Sequence, residues 1–120
     1  MTTLTPRPIQ CTCGSFKGTL TLSQHINRCE CYCKDCQTFA HFLKRDADVR
    51  DVLNPQGGTD IVQTLPKYVR FTQGVEHLAC MRLTDKGMLR WYTTYCNTPI
   101  GNTMASFKLP FVGVSWPKLA

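Results

Sequence analysis

The chain has 120 residues, eight of them cysteine, and a formal charge of +6 at neutral pH. That length suits one domain with a modest core, expected to span residues 1–120. No stretch approaches the roughly 18 apolar residues of a membrane crossing, and the basic residues are scattered without a run of four, so neither a membrane nor a nucleic acid is the expected partner.

Residues 1–10 lack the apolar run of a secretory leader, which points to a cytoplasmic protein whose thiols stay reduced and free to bind metal. The competing reading is a secreted framework of disulfides. Thiolate ligation would also change the charge. Seven thiolates around two zinc ions would bring the surplus down to about +3, which attracts small anions as readily as DNA.

In chain order, the first feature is Cys11-x-Cys13-Gly14. Two thiols with a glycine behind them form half of a zinc knuckle, the glycine giving the backbone room to turn. The other half must come from far along the chain. The alternation of Phe16, Gly18, Leu20 and Leu22 then predicts a strand with one buried face.

A second strand, over residues 26–31, leads into Cys29-Glu-Cys31-Tyr-Cys33-Lys-Asp-Cys36. Four thiols this close make little sense as packing and good sense as metal ligands. Cys31, Cys33 and Cys36 form the tighter motif. If Cys29 fills the fourth position the site is closed and structural. If it does not, the position is open to water or a thiol. Beyond Cys33, Cys36, Phe39, Ala40 and Leu43 fall at i, i+3, i+4 and i+7, one face of a short helix whose N-terminal dipole favours thiolate charge.

A turn is expected over residues 54–58, and strands over residues 61–64 and 68–71, separated by Leu65-Pro66. Residues 77–84 and 88–94 read as a hairpin closed by Thr84-Asp-Lys-Gly87, with Leu83 opposite Leu89, Met81 opposite Trp91 and Cys80 opposite Tyr92. Cys96 is the candidate partner of Cys11 and Cys13, with Cys80 a weaker candidate for a fourth ligand. The histidines His25, His41 and His77 stand apart from one another, each more simply a surface or packing residue. A final strand is expected over residues 110–114. The elements describe a small, mainly β domain of antiparallel strands with one short helix after the central knuckle.

The order Cys11-x-Cys13-Gly14, Cys31-x-Cys33-x-x-Cys36 and a late Cys96 before Thr98-Pro99 resembles the glutathione-dependent formaldehyde-activating enzyme family. The segment Val69-Arg-Phe-Thr-Gln-Gly-Val-Glu-His-Leu78 looks like that family's strand, Gly-x-Glu turn and strand, and the likeness covers about residues 10–102. It implies an Mss4-like (β-tent) fold of packed antiparallel sheets. It also implies a catalytic zinc on Cys31, Cys33 and Cys36, and a structural zinc on Cys11, Cys13 and the late motif. The family's activity joins formaldehyde to glutathione, so the resemblance implies carbon–sulfur lyase chemistry with a small thiol as partner. Arg28, Lys34 or Arg82 are candidates to attract its carboxylates. The late motif departs from the pattern, because Thr93 stands where the family has a ligand and Asn97 where it has a glycine. The alternative is a non-catalytic zinc module that binds protein or nucleic acid.

Overall fold

The structure is a computed structural model that describes residues 5–22, 27–44, 53, 56–104 and 111–115. Nine strands form two antiparallel sheets among the described residues. β1 (Thr5–Gln10), β2 (Lys17–Leu22) and β5 (Val69–Gln73) make a three-stranded sheet in the order β1-β2-β5. The larger sheet runs β3-β4-β9-β8-β7-β6. Its strands are β3 (Asn27–Cys31), β4 (Thr59–Thr64), β6 (Leu78–Met81), β7 (Leu89–Thr93), β8 (Pro99–Thr103) and β9 (Val112–Ser115). One helix, α1 (Lys34–Leu43), follows β3 directly.

Of the alternating residues Phe16, Gly18, Leu20 and Leu22, the first three are buried and Leu22 is half-buried against the same core. Phe16 and Leu20 build the main core with Ile9, Cys11, Val62, Ile100, Val112 and Val114. These residues come from both sheets, so the main core lies where the two sheets pack. The other face of the six-stranded sheet is covered by α1, which buries the four residues that the helical spacing picked out: Cys36, Phe39, Ala40 and Leu43. Phe39, Ala40 and Leu43 pack with Phe42, Met81 and Tyr92 into a second cluster.

The hairpin register differs from the expected one by one residue. Leu78 pairs with Thr93, Cys80 with Trp91 and Met81 with Arg90, so Met81 does not face Trp91 and Cys80 does not face Tyr92. A one-residue slip moves every side chain to the opposite face. The apolar pattern could not decide here because β7 is covered on both faces. Trp91 lines an apolar cavity of about 380 Å³ with residues of the opposite sheet such as Ile9, Val69 and Phe71. Its indole N–H donates to Thr103 Oγ1 at 2.9 Å. Tyr92, on the other face, stacks edge-on against Phe39 and Phe42.

Two strands fell outside the elements read from sequence. β1 carries Pro6 and Pro8, which are tolerated because it is an edge strand and proline's missing N–H costs nothing where it would point away from the partner. β8 is short and begins at Pro99 after a register shift between Trp91 and Tyr92. Tyr68, expected in β5, instead ends the short 3-10 turn Pro66–Tyr68. His25, residues 54–55 and Pro110 lie outside the described residues.

Candidate metal centres

The three expected cysteines of the central knuckle converge. The sulfurs of Cys31, Cys33 and Cys36 all lie within 4.8 Å of one another. Cys31 Sγ is 3.3 Å from Cys33 Sγ and 2.9 Å from Cys36 Sγ. Two elements make this happen. Cys31 ends β3, Cys33 is the N-cap of α1 in an extended conformation, and Cys36 sits in the first turn facing the core. The Cys36 N–H donates to Cys33 Sγ at 3.3 Å, the bond a capping side chain makes. Burial raises the Cys33 thiol, but this bond, those to Cys36 and Cys31 Sγ, and the charge of Arg90 bring it below the ordinary thiol value. Cys36 goes the other way. Burial and the two neighbouring thiols push it up to about 12, against a partial offset from Arg90.

Cys29 stands outside this group. It shares a sheet face with Cys31 but lies two residues further up β3, about 7 Å along the strand. The chain turns into α1 at the Cys31 end, which brings Cys36 to Cys31 and not to Cys29. Burial, then the neighbouring Cys31, raise the Cys29 thiol.

The first and last cysteine motifs also converge. Cys11, Cys13 and Cys96 place their sulfurs within 4.8 Å of one another, with Cys11 and Cys13 at 3.5 Å. Gly14 turns the chain with φ of +81°, a left-handed conformation that glycine adopts freely. Cys11 Sγ accepts from the Phe16 N–H at 3.3 Å. Cys96 reaches the site from the β7–β8 turn, where Asn97 takes φ of +49°. Asparagine is among the few residues that visit this region readily, so it can stand where a glycine is expected. Its side-chain amide also donates to the Leu43 carbonyl at 3.3 Å, tying the turn to the end of α1.

Thr93 occupies the position where a fourth thiol was expected. It is fully buried, its Oγ1 lies 3.2 Å from Cys96 Sγ, and it accepts from the Thr98 N–H at 3.1 Å. Hydroxyls surround this cluster. Ser15 Oγ is 3.0 Å from Cys13 Sγ and Thr98 Oγ1 is 3.1 Å from Cys96 Sγ. Burial raises the Cys96 thiol, but hydrogen bonds from Thr12, Thr93, Thr98 and the Cys13 backbone hold it down at about 5. Cys80 takes no part. It is exposed in β6 and lies outside both groups. Of the histidines, His41 is exposed on α1, and His77 packs edge-on against Tyr95 and lies 3.7 Å from Glu76.

Each cluster can therefore hold a metal ion through three sulfurs, the donor set that soft and borderline ions take. A tetrahedral ion at 2.3 Å from each sulfur would set them about 3.8 Å apart, so the sulfur pairs at 2.9, 3.3 and 3.5 Å each need to open by less than an ångström. Among the described residues no helix is long and apolar enough to cross a membrane.

No curated protein matches the chain in sequence. A crystal structure of a Rhodobacter sphaeroides protein has a similar fold, with a TM-score of 0.64 at 15% identity, covering 93% of this chain and 86% of that one. The two-sheet architecture is thus one that a solved structure shares. In sequence the match is to a family of unknown function, DUF6151, over residues 3–120, and the chain belongs to that family.

Proposed function

We propose that the protein is a zinc-dependent enzyme of the carbon–sulfur lyase type, built on an Mss4-like fold and acting on glutathione or another thiol conjugate. The reading extends the resemblance to the glutathione-dependent formaldehyde-activating enzymes. One observation carries it: Cys31, Cys33 and Cys36 converge while Cys29 stays outside their group. Three thiolates leave a position that a substrate sulfur can take.

A zinc ion held there supplies Lewis acidity and stabilises a substrate thiolate. The protein's own residues hold and orient. Cys33 is fixed by the Cys36 N–H, and the exposed Lys34, next in the chain, offers an ammonium to a conjugate's carboxylate. Arg28 and Arg82 are placed less well. Arg28 points from the opposite face of β3 to Cys29 and Cys31, and Arg82 donates to the Asp85 carbonyl. In the cleavage direction the C–S bond of an S-hydroxymethyl conjugate breaks, sulfur leaves as thiolate, the carbonyl forms and the hydroxyl proton passes to water. Joining is the reverse.

The test is calorimetric titration of zinc-loaded protein with glutathione, with turnover of its formaldehyde conjugate followed by carbon NMR. Binding at or below about 1 mM, the upper end of ordinary Michaelis constants, and turnover that Cys33→Ser abolishes are the expected results. No thiol binding at that concentration sinks the enzymatic reading, and a non-catalytic zinc module becomes the better description.

A further inference from the structure

Arg90 lies in β7 and is only 4% exposed. A guanidinium keeps its charge at any physiological pH, and a buried charge is costly unless something of opposite sign is near. Among the described residues no carboxylate pairs with it. Nη1 lies 3.7 Å from Cys36 Sγ, and the guanidinium carbon sits 5.6 Å from the centre of the Phe39 ring. The sheet register explains the placement. Arg90 pairs with Met81 and Asn102, on the face that α1 covers. The small space beside it is walled by Cys36, Phe39, Thr59, Pro99, Asn102 and Ser115, all neutral unless the cysteine is ionised.

A neutral thiol is a weak acceptor and leaves the cation uncompensated. Three thiolates around a divalent ion carry one net negative charge, which a single guanidinium cancels. A monovalent ion leaves an excess negative charge, and a trivalent ion an excess positive one. The Cys11–Cys13–Cys96 cluster is built differently, its sulfurs meeting the hydroxyls of Ser15, Thr93 and Thr98.

We propose that Arg90 is the buried counter-charge of the Cys31–Cys33–Cys36 centre and matches that centre to a divalent ion. The inference rests on the reading of that cluster as a metal centre and deepens it. Arg90 is a positioning residue, acting through Cys36 and not on substrate.

The test uses full-length protein stripped of metal under reducing conditions, with Arg90→Met and Arg90→Lys beside the wild type. Cobalt(II) is titrated against a competing chelator and followed by its thiolate charge-transfer band. Arsenite, whose trivalent arsenic forms a neutral adduct with three thiolates, is titrated in parallel. Arg90→Met is expected to weaken one of two cobalt steps about tenfold or more, the usual scale of outer-shell effects on metal affinity. It should leave arsenite binding unchanged or tighter, and Arg90→Lys should recover most of the cobalt affinity. The metal-free Arg90→Met protein should melt no lower than the metal-free wild type, since its lone buried charge is gone.

Equal cobalt affinity in wild type and Arg90→Met overturns the proposal. So does a parallel loss of cobalt and arsenite binding, which is what a merely structural arginine would give, and so does a wild type that binds no cobalt. If Arg90→Met does not fold, cobalt affinity in Arg90→Lys more than tenfold below wild type, with arsenite binding equally reduced, also overturns it. Absent glutathione binding with the cobalt–arsenite contrast intact would sink the enzymatic reading and leave Arg90's assignment standing.

Discussion

Cys29 and Thr93 decide what each cysteine cluster can be. Cys29 was legible in the sequence as one of four dense thiols but not as an outsider, because strand alternation puts it on the same face as Cys31. Only the turn into α1 at Cys33 separates them. Cys29→Ser should therefore leave both the metal content and the affinity of the knuckle within about twofold of wild type, the small effect expected of a residue that is not a ligand. Loss of one metal equivalent by elemental analysis would make Cys29 a ligand and close the site. Thr93 shows the reverse case. The sequence raised it only as a departure from a family pattern, whereas the structure puts its hydroxyl 3.2 Å from Cys96 Sγ. Arg90 carried no signal at all, since a lone arginine in a strand reads as a surface residue until a helix is seen to cover it.

At the scale of elements, α1 was the most legible because its four buried residues repeat at helical spacing and one face alone is covered. β7 was the least legible in register because both of its faces are covered, Trp91 by the opposite sheet and Tyr92 by α1. The Gly-x-Glu turn after β5 lies between these cases. Gly74 has φ of +81°, and a Cβ there would press on the Ser15 carbonyl and lie 2.9 Å from Phe16 Cα. That turn thus packs against the chain segment that brings Cys11 and Cys13 together. Gly74→Ala combines backbone strain with a clash against backbone, and should destabilise the protein by about 2 kcal/mol or more. It should also lower metal occupancy at Cys11, Cys13 and Cys96 before it affects the knuckle. Denaturant unfolding with cobalt spectroscopy checks both, and an unchanged midpoint would mean that the turn can relax away from Ser15.

Over the whole molecule the two clusters do different work. The knuckle joins β3 to the helix that follows it, a contact local in the chain. Cys11, Cys13 and Cys96 join the β1–β2 turn of one sheet to the β7–β8 turn of the other, beside the Thr12 N–H that donates to Thr98 Oγ1 across 86 residues. A cross-link over a long loop removes more freedom from the unfolded chain than one over a short loop, a difference that grows as the logarithm of loop length. For a loop of about 80 residues the chain-entropy effect of a covalent link is on the order of 4 kcal/mol, and for one of a few residues far less. Cys13→Ser should therefore lower the melting temperature of metal-loaded protein by several degrees more than Cys33→Ser does. After chelation all three proteins should melt within a few degrees of one another, because the metal is what makes the link. Equal losses in the two loaded variants would mean that the apolar contacts between the sheets hold them together unaided. In that case the distant cysteines converge because the fold brings them there, and a metal at that site would be a passenger on the architecture.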